Sequence, residues 1–230
     1  MINFDTPIET YLAHLNLGLL PNLAMRAFTD MYMFRGLVLI PILWWIWFQP
    51  SERQEWHREV VVATVVSGLL ALAVGRLLAN TLPFRVRPVY DTDLHLHFAS
   101  ESLYDAMLSK WSSFPSDHAM LWMSVATGIF IVSRLIGVLA FLYTAIFICL
   151  PRAYFGFHHP TDLLAGAAIG IAITFLMTRT SIRTRYAAPL LRWIKRYPGP
   201  SYMLAFILCY ELVTQFDELR RIASVASKVL

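Results

Sequence analysis

Charge is scarce in this chain. Only 15% of its 230 residues are Asp, Glu, Lys or Arg, against 57% that are hydrophobic. That composition excludes an ordinary soluble domain and points to a helical protein embedded in a membrane. Cysteine is nearly absent: Cys149 and Cys209 both sit in apolar runs. Two isolated thiols have no metal-type spacing, and no disulfide framework is expected. Internal repeats and low-complexity tracts are missing. So is a basic N-terminal region followed by an apolar core, so no cleavable signal peptide is expected. The formal net charge is only +4, and in a membrane chain that reads as basic loops on the cytoplasmic side, with no nucleic-acid partner.

What is present is a series of apolar runs. The length suits one domain of about five to seven spanning helices at roughly 20 residues each. Runs lie at about 31–48, 60–79, 119–133, 135–150, 162–178 and 201–216. The first ends in Trp44, Trp45 and Trp47, an aromatic belt of the kind found at a membrane surface. Residues 1–28 mix Leu12, Leu15, Leu19 and Leu20 with His14, Asn16, Pro21 and Asn22, which predicts an interfacial helix. Residues 217–230 form a charged tail, expected to be helical. Gly166 and Gly170 form a G-x-x-x-G on the fifth run, which predicts close helix packing inside the bundle. The expected fold is therefore all-α: a polytopic membrane bundle of about six spans, with the N-terminal interfacial helix, forming a single domain over 1–230.

The 179–200 segment carries Arg179, Arg183, Arg185, Arg192, Lys195 and Arg196 and no acidic residue, so it is expected to be a cytoplasmic loop. Counting spans back from it puts two polar segments, 80–117 and 151–161, together on the outer face. Those segments hold three clusters. Arg85-Val86-Arg87-Pro88 follows the second run. Ser113-Phe114-Pro115-Ser116-Asp117-His118 precedes the third. Pro151 to Asp162, PRAYFGFHHPTD, precedes the fifth.

Each cluster has a bland reading and a chemical one. Ser116 or Asp117 suits a helix N-cap, and a helix N-terminus offers free N–H groups to an anion. His118 in the first turn can give or take a proton there. In the third cluster, an arginine, a histidine and a carboxylate are the parts of phosphoryl transfer: Arg152 holds oxygens, His158 attacks, and Asp162, four residues on, orients the ring. His159 has the wrong spacing for that and reads as structural or headgroup-facing. Equally, these residues fit a polar loop whose Arg and His reach toward headgroups. A separate alternation, Asp91, Asp93, His95 and His97 in DTDLHLH, would put four ligands on one side of an extended strand. An amphipathic segment lying over the site is the favoured reading of it.

Together the clusters resemble the three motifs of the type 2 phosphatidic acid phosphatase superfamily: K-x6-R-P, P-S-G-H or a close variant, and S-R-x5-H-x3-D. Arg87-Pro88 matches the end of the first. Pro115-Ser116-Asp117-His118 matches the second in an Asp variant seen in undecaprenyl-diphosphatase-like members. Arg152, His158 and Asp162 match the third at full spacing. The likeness spans about residues 76–170. Two positions depart: Asn80 stands where the motif lysine is expected, and Pro151 where the serine is. Arg85 or Arg76 is a candidate to replace the missing cation.

The resemblance implies a membrane phosphatase acting on a lipid phosphate or diphosphate, with a lean to a polyprenyl diphosphate such as undecaprenyl diphosphate. His158 would form a phosphohistidine, Asp162 would orient it, and His118 would protonate the leaving oxygen and then activate water. Arg87, Arg152, Ser116 and Asp117 would hold the phosphoryl oxygens, with Arg85 and Asn80 at the edge of that pocket. No metal and no cofactor are implied. The expected location is a bacterial cell membrane with the site on the outer face. The alternatives are a phosphatidic acid, other glycerolipid or lipid A phosphatase, a lipid phosphotransferase, and a weakly active member that binds lipid phosphates.

Overall fold

A computed structural model describes residues 4–15, 17–99 and 108–217. Among these the regular structure is all helical. The chain runs α1 (Asp5–His14), α2 (Leu19–Asp30), α3 (Tyr32–Gly36), α4 (Leu39–Phe48), α5 (Gln54–Thr81), α6 (Asp117–Val132), α7 (Arg134–Tyr143), α8 (Leu150–Tyr154), α9 (Pro160–Met177), α10 (Thr180–Arg196) and α11 (Pro198–Thr214). A π-helical turn, Thr144–Cys149, joins α7 to α8, so Arg134–Tyr154 is one continuous rod.

Three of these are long and apolar enough to cross a membrane: Gln54–Thr81, Arg134–Tyr154 and Pro160–Met177. Leu39–Phe48 and Asp117–Val132 are apolar but shorter. The expected runs are thus found as helices, with three rather than six meeting the length of a span by themselves. Many large apolar side chains face outward, among them Leu77, Leu139, Leu164, Phe175 and Phe206. In water such a surface would be an aggregation hazard; against lipid it needs no partner.

The centre of the bundle is α6, packed between α5 and α9. Its Trp122, Met120 and Leu121 are fully buried. Small residues set how near the helices come. A methyl group on Gly128 of α6 would lie 1.9 Å from the Thr64 hydroxyl of α5. One on Gly170 of α9 would lie 2.1 Å from the Met120 carbonyl, and one on Gly166 would lie 2.6 Å from the Ser116 carbonyl. The G-x-x-x-G is therefore used within the bundle. A buried hydroxyl pair, Ser124 to Thr174 at 2.6 Å, pins the same interface further along.

Three segments differ from expectation. The basic 179–200 stretch is not a loop: α10 forms across it, burying Arg183 against Glu59 and Thr178. The N-terminal segment is two helices, and α1 buries Asp5, Glu9 and Leu12 against α8 and α9. The DTDLHLH stretch is a 3₁₀ turn, Thr92–Leu94, capped by the Asp91 carboxylate and ended by His95 in the left-handed region. That turn breaks the alternation a strand would need. The charged tail beyond residue 217 lies outside the described residues.

Because the α6–α9 contact leaves no room for a side chain, Gly170→Val should lower stability by about 2 kcal/mol or more. Thermal unfolding in detergent checks this, with a lower midpoint as the expected result.

Candidate active site

The polar clusters meet at one end of the bundle. The chain leaving α5, the N-terminus of α6 and the turn between α8 and α9 supply them. Backbone bonds tie the three together. The Ser113 N–H donates to the Arg85 carbonyl at 2.9 Å, and the Ser116 N–H donates to the Asp162 carbonyl at 3.2 Å. The Val89 N–H donates to the Gly156 carbonyl at 2.9 Å. Gly156 has φ +67, and a Cβ there would sit 2.7 Å from the Phe98 ring, so this turn requires glycine. The Arg152 carbonyl accepts from both Phe157 and His158 N–H, which folds the turn back toward the helix.

His158 is buried and its two ring nitrogens have different partners. Nδ1 lies 2.8 Å from the Ser113 carbonyl and 3.9 Å from the Asp162 carboxylate. A carbonyl only accepts, so Nδ1 carries the proton. Nε2 lies 3.4 Å from an Arg87 guanidinium nitrogen, which only donates, so Nε2 holds the lone pair. Arg87 also donates to the Phe157 carbonyl at 2.7 Å. Burial pulls the His158 imidazole below its ordinary value; the Asp162 carboxylate opposes this and the Arg87 guanidinium adds to it. The neutral ring with a free lone pair beside a cation is the form a nucleophile needs.

The α6 N-terminus faces the same place. Ser116 is the N-cap, its hydroxyl accepting from the Ala119 N–H at 3.4 Å. Asp117 accepts from the backbone N–H and from Nδ1 of His118, each at 2.8 Å. Asp117, His118 and His158 each bring a ligand-type atom within 4.8 Å of the others. The two histidines expected to act together are therefore neighbours, and this trio can also hold a metal ion. Arg152 is buried and donates along its own helix to the Ile148 carbonyl at 2.7 Å.

Three cations or polar residues have other positions than expected. Arg85 is an ion-pair bridge: Nη1 reaches Asp162 at 2.5 Å and Nη2 reaches Asp5 at 2.7 Å. Arg76 donates to the Gln215 carbonyl at 2.5 Å, at the end of α11. Asn80 is exposed on the last turn of α5. His159 does not face headgroups. It is buried, with Nδ1 at 2.6 Å from Glu9 and Nε2 at 3.0 Å from the Val86 carbonyl. Asp91, Asp93, His95 and His97 do not gather as a metal cluster among the described residues; the second such group is instead Asp5, Glu9 and His159.

The description "PAP2 superfamily" belongs to a family model that matches residues 56–186, more than half of the chain. The chain belongs to the PAP2 superfamily. It is 29% identical over 140 residues to "Bacitracin transport permease protein BcrC" of Bacillus licheniformis, covering 61% of this chain and 62% of that one. It is 27% identical over 133 residues to "Putative undecaprenyl-diphosphatase YbjG" of Escherichia coli (strain K12), covering 58% and 60%. The chain thus spans about three fifths of the length of these curated relatives. No solved structure matches it.

All three clusters of this PAP2 chain fall inside the matched region, whereas α1 lies before it. Three contributors escaped the sequence reading: the Ser113 carbonyl, Asp5 and Glu9. The Ser113 carbonyl is a main-chain atom and leaves no mark in residue type. Asp5 is 80 residues from Arg85 and 156 from Thr161, and Glu9 is 150 from His159, so no local spacing in the N-terminal segment marks them.

The His159 pair has a pH signature. Burial pulls His159 down, but Glu9 and the Val86 carbonyl outweigh it, and its pKa is raised. A group raised on folding contributes stability that is whole below its unfolded value of 6.5 and is lost as pH rises through the folded value. Glu9→Gln should therefore cost about 1–3 kcal/mol where His159 is charged and less where it is neutral. Melting curves should show a wider gap between wild type and variant near pH 6 than near pH 9.

Proposed function

We propose that the protein is a membrane lipid phosphatase that hydrolyses a phosphate or diphosphate ester through a phosphohistidine on His158. The single observation that carries this is the placement of the His158 ring: Nδ1 is 2.8 Å from the Ser113 carbonyl and Nε2 is 3.4 Å from the Arg87 guanidinium, partners that assign the proton to Nδ1 and the lone pair to Nε2. Nε2 attacks phosphorus from within reach of a guanidinium that neutralises the phosphoryl oxygens. Asp162, close to Nδ1, offsets the positive charge the ring gains on attack. His118, beside His158 and held through its own Nδ1 by Asp117, gives its other nitrogen's proton to the leaving oxygen. It then takes a proton from the water that splits the phosphohistidine. Ser116 and the first N–H groups of α6 complete the anion pocket, with Arg152 closing it from α8. The reaction is one of histidine and arginine and uses no metal.

Superfamily membership and two relatives support the reaction class. The lean toward a polyprenyl diphosphate rests on the Pro115-Ser116-Asp117-His118 variant and on the name of the Escherichia coli relative. The lipid enters from the outer leaflet, with the basic α10 on the cytoplasmic side. Arg85 serves Asp162 rather than the phosphate, and neither Arg76 nor Asn80 supplies the cation of the motif lysine.

Purified protein should release phosphate from a panel containing polyprenyl diphosphate, phosphatidic acid and phosphatidylglycerophosphate, with EDTA present. His158→Ala should abolish release. His118→Ala should lower kcat by about 10²–10⁴-fold, the usual worth of general acid–base catalysis. Since the His158 pKa is lowered, the acid limb of kcat/KM should fall below pH 6.5. Undiminished release by His158→Ala excludes the scheme, loss of activity in EDTA restores a metal to it, and phosphate found on an added acceptor marks a transferase.

A further inference from the structure

The helix α1 grips the turn that carries His158, and nothing in the reaction above uses it. Its Asp5 carboxylate is buried, at 3% exposure. One oxygen accepts from the Thr161 backbone N–H at 2.8 Å; the other accepts from the Thr161 hydroxyl at 2.7 Å and from Arg85 at 2.7 Å. Thr161 is the second residue of α9, so its N–H is one of the first-turn donors that the helix itself leaves unpaired. Asp5 thus caps α9 from another helix. Four residues on, Glu9 lies on the same face of α1 and holds His159. The five residues from His158 to Asp162 are consequently held from α1 at His159 and at Thr161.

The second path runs through Arg85. One guanidinium nitrogen binds Asp162 Oδ1 and the hydroxyl of Thr161; the other binds Asp5. The other Asp162 oxygen accepts from the His159 N–H at 2.9 Å and is the one 3.9 Å from His158 Nδ1. A fork shared by two carboxylates fixes the plane of both. Remove the Asp5 charge and Arg85, whose side chain is one-third exposed, loses the partner that holds it across the site. Asp162 keeps the His159 N–H but loses a fixed guanidinium on its other oxygen, so the oxygen beside His158 shifts.

Building on the phosphatase reading, we propose that Asp5 is a positioning residue for this reaction, acting through Arg85 and Thr161 to fix Asp162 against His158. The function of α1 is then to brace the nucleophile, from outside the stretch that the family model matches.

Full-length protein in nanodiscs, with the panel lipid that wild type turns over fastest, provides the test. Asp5→Asn should lower kcat about tenfold or more while KM stays within about twofold, because a misplacement near 1 Å can cost 10²-fold. In an Arg85→Gln background the same substitution should lower kcat by a smaller factor than in wild type, since only the Thr161 path is then left to cut. Fully additive losses overturn the proposal, as does an Asp5→Asn protein with wild-type kcat. Should Asp5→Asn not fold, Thr161→Val keeps every charge and should still lower kcat at unchanged KM; unchanged kcat overturns it. Spectra of ¹⁵N-histidine-labelled protein read the linkage without substrate. The His158 Nδ1 signal should move in Asp5→Asn and stay put if α1 has no hold on it. A wild type inactive on every lipid would count against the phosphatase reading, and the spectra would still decide the role of Asp5.

Discussion

The bond between the His158 ring and the Ser113 carbonyl is the contact on which the site rests. It fixes which nitrogen carries the proton and so turns the other, Nε2, toward Arg87. It also joins the turn before α9 to the irregular segment before α6. That contact holds only if α6 and α9 keep their spacing, and the spacing is set by glycine. Gly166 lies against the Ser116 carbonyl and Gly170 against the Met120 carbonyl, with no space for a side chain at either. Helix packing and site chemistry are thus the same constraint at two places along one interface.

Around that contact the chain buries charge in matched sets. Arg85 meets Asp162 and Asp5, and Glu9 meets His159. Burying a carboxylate is costly unless its oxygens find donors, and Asp5 finds them in a helix end and a guanidinium. Such pairs add little to stability compared with apolar packing, but they admit few arrangements. The rest of the surface follows the opposite rule. Leu139, Leu164 and Phe206 point outward without partners, as suits helices whose solvent is hydrocarbon.

Much of this was legible in residue order. The apolar runs became helices, the small-residue pair became a close contact, and His118, His158 and Asp162 came together from spacing and topology. What was not legible has identifiable causes. A run's apolar length does not state how many residues stay in one unbroken helix; among the described residues three of the six runs lie in helices that reach the length of a span by themselves, and the others lie in shorter helices. Arginine spacing placed Arg85 and Arg76 near the phosphate, yet Arg85 had a carboxylate from α1 to answer and Arg76 a carbonyl on α11. The alternation Asp91 to His97 looked like a strand face, and a local side-chain cap turned it into a 3₁₀ turn instead. Sequence can mark a polar face on α1 but not the buried partner that face will meet.

The chemistry stands or falls on covalent phosphorylation of His158. Wild-type protein mixed with ³²P-labelled polyprenyl diphosphate and quenched within a turnover should carry a label that is stable in base and lost in acid. Peptide mapping should place it on His158, and His158→Ala should carry none. Phosphate release at the wild-type rate with no labelled histidine would contradict it, since water would then have attacked phosphorus directly.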